Sequence, residues 1–117
     1  MELQDFKKQK NKSVLCSMID YMKEVDDCGY TKKDIDKCGN IFDSYIDELL
    51  LCEKDETAIM NCVKKVVVSL NNLNKECNYS LIETGQREDL YLFIVNAAVV
   101  AGLPQPNGDI TEEWREW

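Results

Sequence analysis

Apolar residues recur every three or four positions along most of this 117-residue chain, which is the period of an amphipathic α-helix. The first apolar stripe follows a lysine-rich polar segment, residues 1–12, which we expect to be solvated. The members of this stripe are Val14, Leu15, Met18, Ile19, Met22 and Val25. Gly29 suits the end of this first helix.

A second stripe follows Thr31, a good N-cap because Asp34 stands three residues later. Gly39 interrupts the stripe and is a weak point, at which a short helix can end and a longer one begin. The apolar positions are Ile35, Cys38, Ile41, Phe42, Tyr45, Ile46, Leu49 and Leu50. The pattern therefore predicts a second helix whose apolar side faces the core.

A third helix begins at Asp55 or Thr57, and its apolar stripe covers residues 59–73. The run Val66-Val67-Val68 has strand propensity, but the helical period over the whole stripe outweighs it. Fraying before Cys77 is predicted by three polar residues, Asn71, Asn72 and Asn74.

The fourth helix is predicted to be central, because residues 90–101 are apolar on most faces. Ser80-Leu81-Ile82-Glu83 has the form of a capping box, and Thr84 is a competing start. Gly102 and Pro104 are a strong stop. Residues 104–108 form a loop, after which Thr111 can cap a short last helix.

These patterns predict one all-α domain over residues 1–117: a compact antiparallel helical bundle of four main helices plus a short C-terminal helix. Residues 1–12 are its polar N-terminal segment, and residues 104–117 are its loop and C-terminal tail. Short connections between successive helices favour this arrangement.

The chain is acidic and lacks histidine, with a net charge of -8. Residues 31–56 carry four lysines and eight acids, and residues 81–117 carry two arginines and seven acids. This balance repels nucleic acid and anionic membranes, so neither is expected as a direct partner, whereas it attracts cationic proteins. Plain solubility is the alternative explanation for the charge taken alone.

The sequence contains no Ser-His-Asp set, glycine-rich phosphate loop or metal-binding cluster. Its paired carboxylates are adjacent in sequence, so on a helix the two members diverge by about 100° instead of converging in a cleft. These pairs are Asp26-Asp27, Asp47-Glu48, Glu88-Asp89 and Glu112-Glu113. We therefore expect no enzymatic activity, no cofactor and no metal.

The chain has six cysteines, Cys16, Cys28, Cys38, Cys52, Cys62 and Cys77. An even count invites a disulfide interpretation. Reduced structural thiols are favoured instead, because the cysteines sit at core-like helical positions and the chain is long enough to fold without covalent links. No Cys-x-x-Cys pair occurs, which argues against zinc. Met1 and the charged residues after it favour a cytoplasmic protein, and the longest apolar run, residues 90–103, is too short to span a bilayer.

One candidate partner-binding surface lies on the second predicted helix. Asp36, Asp43, Asp47 and Glu48 fall largely off its apolar stripe, where they could make a negative face against a basic protein. Tyr45 lies among these acids as a candidate aromatic anchor. A solvated helix surface is the alternative.

The C-terminal tail is the other candidate surface. Trp114 and Trp117 are three residues apart and so share a helix face, flanked by acids. A tryptophan among carboxylates is suited to a cationic partner, through cation–π contact and charge pairing. The candidate contact residues are Glu112, Glu113, Glu116 and Trp117. Trp114 is expected instead to pack down and hold the tail on the bundle.

In size, acidity, helical pattern and ending, the chain resembles bacterial toxin immunity proteins, the cytosolic antidotes of contact-dependent growth inhibition and other polymorphic toxin systems. That ending covers about a fifth of the chain, and its residues are Ala97-Ala98, Ala101-Gly102-Leu103 and Asp109-Ile110-Thr111-Glu112-Glu113-Trp114-Arg115-Glu116-Trp117. The chain is also similar to the helical immunity proteins of nuclease colicins in charge and class, without a matching motif.

The resemblance implies a cytosolic immunity protein that binds and neutralises a cognate basic toxin domain, expected to be a nuclease, by covering its substrate-binding surface. Such a protein needs no enzymatic step. The alternative function, from another class, is a non-enzymatic helical adaptor or regulatory module that binds another cytosolic protein.

Overall fold

The computed structural model describes residues 2–25, 27–106 and 108–117, and within these ranges every regular element is helical. The predicted all-α fold class is therefore confirmed for the described residues. Met1, Asp26 and Asn107 lie outside them, and with Asp26 the predicted pair Asp26-Asp27. The elements are α1 (Leu3–Lys10), a π-helical segment (Asn11–Leu15), α2 (Cys16–Glu24), α3 (Lys32–Leu50), α4 (Glu56–Glu76) and α5 (Thr84–Ala101).

Residues 3–12 are mostly exposed or partly exposed, as expected of a solvated segment, but they are helical and one of them is packed into the core. Phe6 in α1 is buried, and its ring meets that of Phe93 edge to face at 5.5 Å between centroids. The π-helical segment then joins α1 to α2 without a break and buries Val14 and Leu15. The aromatic contact with α5 holds α1 against the core despite its many lysines.

Helix α3 begins as predicted and continues without interruption. The backbone N–H of Thr31 donates to the Asp34 carboxylate at 2.9 Å, which forms part of a capping box. Gly39 does not divide the helix, because it is buried where α1 and the π-helical segment approach. A Cβ at this position would lie 3.2 Å from Leu15 Cδ1 and 3.4 Å from Lys10 Cε. The missing side chain allows this close approach.

Helix α4 is longer than the sequence indicated. Of the two candidate caps, Asp55 is the one that acts, because its carboxylate accepts from the Thr57 N–H at 3.0 Å. The predicted fraying does not occur, since the helix extends to Glu76. Asn71 and Asn74 are buried and form hydrogen bonds, and Asn74 Oδ1 accepts from the Ile82 N–H at 3.0 Å.

Helix α5 begins at Thr84, the start that competed with the predicted Ser80 capping box. The box is formed instead by Glu83 and Gln86, and the Glu83 N–H donates to Gln86 Oε1 at 3.2 Å. As predicted, the helix is central, with contacts to α1, α3 and α4. It ends at Gly102, whose φ of 126° is readily reached only by glycine.

None of the described helices is both long and apolar enough to cross a membrane.

The predicted short C-terminal helix is not formed. Residues 110–114 make a turn, and residues 115–117 are extended or irregular. The Glu116 N–H, which a continuing helix would direct to the Glu112 carbonyl, is used elsewhere. Asn71 Nδ2 donates to the Trp114 carbonyl at 2.7 Å, and the Glu116 N–H donates to Asn71 Oδ1 at 3.0 Å. One buried amide on α4 thus captures the tail before a second helical turn can develop.

Candidate functional site

The four carboxylates predicted as a binding surface on α3, Asp36, Asp43, Asp47 and Glu48, are called here the α3 acidic face. Every one of them is paired with a lysine. The pairs are Asp36–Lys32 at 2.5 Å, Asp43–Lys10 at 2.9 Å, Asp47–Lys7 at 2.5 Å and Glu48–Lys65 at 2.5 Å. The structure therefore places the predicted acids on one helix but supplies each with a counter-charge.

Lys10 is the most enclosed of these lysines. Its side chain is only 13% exposed, and its ammonium group also donates to the Lys7 carbonyl at 2.7 Å. Asp43 Oδ1 is buried from solvent, and the Lys10 ammonium group is its neighbour. Because both groups are partly withdrawn from water, this pair joins α1 to α3 and differs from a fully exposed surface ion pair.

Tyr45 cannot serve as the predicted surface anchor, because its side chain is only 2% exposed. The ring lies between α3 and α5, and its hydroxyl donates to the Ile94 carbonyl at 2.8 Å. Burial raises the pKa of Tyr45 well above its usual value. The residue is amphipathic, so its position in the helical stripe indicated burial while its hydroxyl suggested a surface role.

The second candidate surface comprises Glu112, Glu113 and Glu116 and is called here the C-terminal acidic segment. All three side chains are exposed. Among the described residues none of them forms an ion pair with a lysine or arginine. Glu116 has only a 3.4 Å contact from Asn71 Nδ2. These carboxylates keep their charge available to a partner, unlike those of the α3 acidic face.

A buried framework fixes the C-terminal acidic segment. Thr111 is fully buried, and its N–H donates to Asp109 Oδ1 at 2.8 Å. The Thr111 hydroxyl also donates to Asp109, and Arg115 forms an ion pair with the other carboxylate oxygen. Asn71 then binds the backbone on either side of Arg115. Glu112 and Glu113 therefore project from a turn, and Glu116 from the segment after it, whose backbone is held by Asn71.

Both tryptophans of the tail pack against the core, in agreement with the expectation for Trp114. Trp117 is partly buried, and its indole Nε1 is enclosed without a hydrogen-bond partner among the described residues. The Arg115 guanidinium lies 5.4 Å from the centroid of the Trp117 ring. The predicted cation–π contact of Trp117 is thus already made within the chain.

The cysteines have free thiols in the structure, and they fall into different environments. Cys38, Cys52 and Cys77 are buried, Cys28 and Cys62 are partly buried, and Cys16 is exposed, contrary to the expected core position. Burial raises the pKa of Cys38 to about 12, which leaves very little of the thiolate that nucleophilic chemistry requires. Among the described residues, no three Cys, Asp or Glu side chains are grouped so as to hold a metal ion.

Sequence reasoning missed two residues that decide the character of these surfaces, Lys10 and Asn71. The signal for Lys10 was the apolar spacing of Leu3 and Phe6, which marks a packed helix with lysines on its flank. The signal for Asn71 was its place beside Leu70 and Leu73 within an apolar stripe, where a buried amide needs partners.

No family model, curated protein or solved structure matches the chain.

Proposed function

We propose that this chain is a cytoplasmic immunity protein that neutralises a cognate basic toxin domain, expected to be a nuclease, by covering its substrate-binding surface. The observation that supports this most strongly is the C-terminal acidic segment. It presents three exposed carboxylates without cationic partners among the described residues, on a turn held by Asn71 and Thr111. A nuclease must expose cations to bind phosphates, and these carboxylates can compete for them.

The proposed mechanism separates encounter from retention. Unpaired carboxylates speed the approach of a cationic protein, because long-range attraction raises the association rate. A turn that is already ordered loses little conformational entropy on binding, which slows release. No bond is made or broken, so the chain acts by occupancy alone.

The scaffold is proposed to be the antiparallel bundle expected from the sequence. Lys7 pairs with Asp47 and Lys10 with Asp43, so ascending residue numbers in α1 meet descending numbers in α3. The same reversal relates α3 to α4 in the pairs Lys37–Glu76 and Glu48–Lys65. This arrangement gives the tail a firm base along α4.

The test is binding to the basic toxin domain encoded beside this chain. Association rates are measured by stopped-flow fluorescence as salt is raised from about 50 to 200 mM, a range over which charge steering is increasingly screened. We expect tight binding, loss of nuclease activity on mixing, and an association rate that falls roughly tenfold or more with salt. Absence of binding to that domain would overturn the proposal.

A second candidate function, a helical adaptor, is favoured by exposed apolar side chains. Leu51 is 81% exposed, and Leu92 and Val100 lie at exposed positions about two helical turns apart on α5. An adaptor that uses these residues would bind its partner with little dependence on salt. Replacing Leu51 with Glu would then abolish binding, whereas it should leave toxin binding through the C-terminal acidic segment unchanged.

A further inference from the structure

Two cysteine sulfurs are in contact where α3 turns into α4. The Sγ atoms of Cys52 and Cys62 lie 3.5 Å apart. Cys52 belongs to the turn that follows α3, and Cys62 lies within α4. The Cys52 thiol also donates to the Glu48 carbonyl at 3.3 Å. This thiol pair has no part in the proposed function.

We propose that Cys52 and Cys62 form an oxidation site, at which a small-molecule disulfide such as glutathione disulfide converts the two thiols into an intramolecular disulfide bond. The contact between their sulfur atoms carries this inference. Residues of a disulfide bond need an S–S separation of about 2.05 Å, so the sulfurs must approach by roughly 1.5 Å. Cys52 lies outside any helix, so its movement requires no break in the backbone hydrogen bonds within α3 and α4, although the thiol hydrogen bond to the Glu48 carbonyl is lost on oxidation.

The reaction balances as two thiol–disulfide exchanges. The Cys62 thiolate attacks one sulfur of the small disulfide, whose S–S bond breaks, and the departing thiolate takes up the proton that Cys62 lost. Cys52, after losing its own proton, then attacks Cys62 Sγ and displaces the second small thiol. Two electrons pass from the cysteine sulfurs to the oxidant, which leaves as two reduced thiols.

Exposure decides which sulfur reacts first. Cys62 is partly exposed, whereas Cys52 is buried. A mixed disulfide on Cys62 would place its sulfur beside Cys52, so the second exchange is intramolecular and fast. Burial and the contact with Cys52 raise the pKa of Cys62 to about 12, so the first exchange is slow. The site therefore responds to sustained oxidation and not to a brief pulse.

The test is incubation of the whole folded chain with glutathione disulfide, followed by alkylation, proteolysis and mass spectrometry. Cleavage at both lysine and glutamate is needed, because Glu48 then separates the peptide of Cys38 from that of Cys52. We expect a Cys52–Cys62 cross-link with the loss of two hydrogens and no retained glutathione on either residue.

Cys16 is the internal control. Its thiol is exposed and donates to Asp20 Oδ2 at 3.7 Å, so we expect its reaction to stop at a stable glutathione adduct. Cys52→Ser should trap the same adduct on Cys62, because the resolving thiol is gone. Cys62→Ser should leave the buried Cys52 unmodified while Cys16 is fully converted.

Three results would overturn the proposal. One is a glutathione adduct that persists on Cys62 in the unaltered chain. Another is a cross-link confined to other cysteines, such as Cys38 with Cys77. The third is a Cys62 thiol that remains free in both the unaltered chain and Cys52→Ser after Cys16 has reacted completely. Circular dichroism of each variant verifies that the helical fold is retained.

Discussion

The α3 acidic face and the C-terminal acidic segment have similar composition but opposite electrostatic character. On α3, all four carboxylates are paired with lysines, two of which come from α1 and one from α4. On the tail, Glu112, Glu113 and Glu116 are exposed and form no ion pair among the described residues. A count of acids therefore does not locate negative potential, because the fold decides which charges are balanced.

The comparison also shows two uses of charge. On α3 the ion pairs join helices, and the Lys10–Asp43 pair is partly withdrawn from solvent. On the tail the glutamates are exposed and form no ion pair among the described residues, and the contacts of Asn71 and Thr111 hold the segment. The proposed function thus assigns recognition to acids other than those that join helices, which makes the two regions separable by substitution.

Asn71→Ala is expected to have the largest effect on this comparison. It removes the hydrogen bonds from Asn71 to the tail and leaves the Trp114 carbonyl and the Glu116 N–H without their partner. Because unsatisfied buried polar groups are costly, we expect a loss of about 2 to 3 kcal/mol in the free energy of unfolding, measured by urea titration. Asn72→Ala, at the exposed neighbouring position, is the control and should change it by less than about 0.5 kcal/mol. Equal effects of the two substitutions would contradict the account.

Alkaline pH tests the buried side of α3, where Cys38 lies. Burial raises the pKa of Cys38 to about 12 and that of Cys77 to about 11, from an ordinary value of 9.0. Between pH 9 and these raised pKa values, the unfolded chain binds fewer protons than the folded chain. The contribution of the two thiols to stability is therefore complete below pH 9 and is lost as the pH rises above it. Each thiol contributes a loss of about 1.4 kcal/mol per pH unit in that window.

The measurement is urea unfolding under reducing conditions, at neutral pH and at alkaline pH. Cys38→Ala lacks one of the titrating groups and should show a shallower decline than the unaltered chain. A free energy of unfolding that stays constant into the alkaline range would show that these thiols are not protected by burial.

Neutralising the two surfaces separately is expected to give the next largest effect. Changing the three glutamates of the C-terminal acidic segment to Gln should slow association with the basic toxin domain roughly tenfold at low salt. Changing Asp36, Asp43 and Asp47 to Asn should slow association less, by under about threefold at the same salt, because these acids lie outside the proposed contact and their field is screened with distance. Stopped-flow rates for the two triple variants decide between these surfaces, and a larger effect from α3 would reverse our assignment.

Lys10→Met is expected to have the smallest effect. It removes the ion pair with Asp43 while keeping the aliphatic length that packs over Gly39. We expect a loss of about 0.5 to 1 kcal/mol in the free energy of unfolding, measured by thermal or urea unfolding. Lys8→Met, at an exposed position on the same helix, is the matched control. If both substitutions lower the free energy of unfolding equally, the Lys10–Asp43 pair makes no specific contribution to stability.

Local signals predicted most of the fold. Thr31 with Asp34, and Gly102 before Pro104, marked helix ends through hydrogen bonding and backbone geometry that depend on neighbouring residues alone. The errors arose where distant residues decide. Gly39 has a low helix propensity, but the approach of Leu15 makes its small size useful. Phe6 looked isolated because its partner, Phe93, is far away in the sequence.

The candidate surfaces were less predictable, for the same physical reason. Asp43 and Glu48 can be identified in the sequence as acids on one helix, but their counter-ions, Lys10 and Lys65, reside on other helices. The exposure of the tail glutamates was foreseeable from their polarity. The turn that carries them was not, because it depends on an amide of α4 that reaches across more than forty residues.

The π-helical segment Asn11–Leu15 determines the direction in which the side chains of α1 face. A π-helical turn accommodates one residue more than an α-helical turn, and each residue corresponds to a rotation of about 100°. Loss of a single residue here would let α1 and α2 merge into one regular rod and swing Phe6 away from Phe93. The same rotation would carry Lys7 away from Asp47 and Lys10 away from Asp43. Two of the four ion pairs of the α3 acidic face therefore depend on the number of residues in this segment as well as on the amino acids that form them.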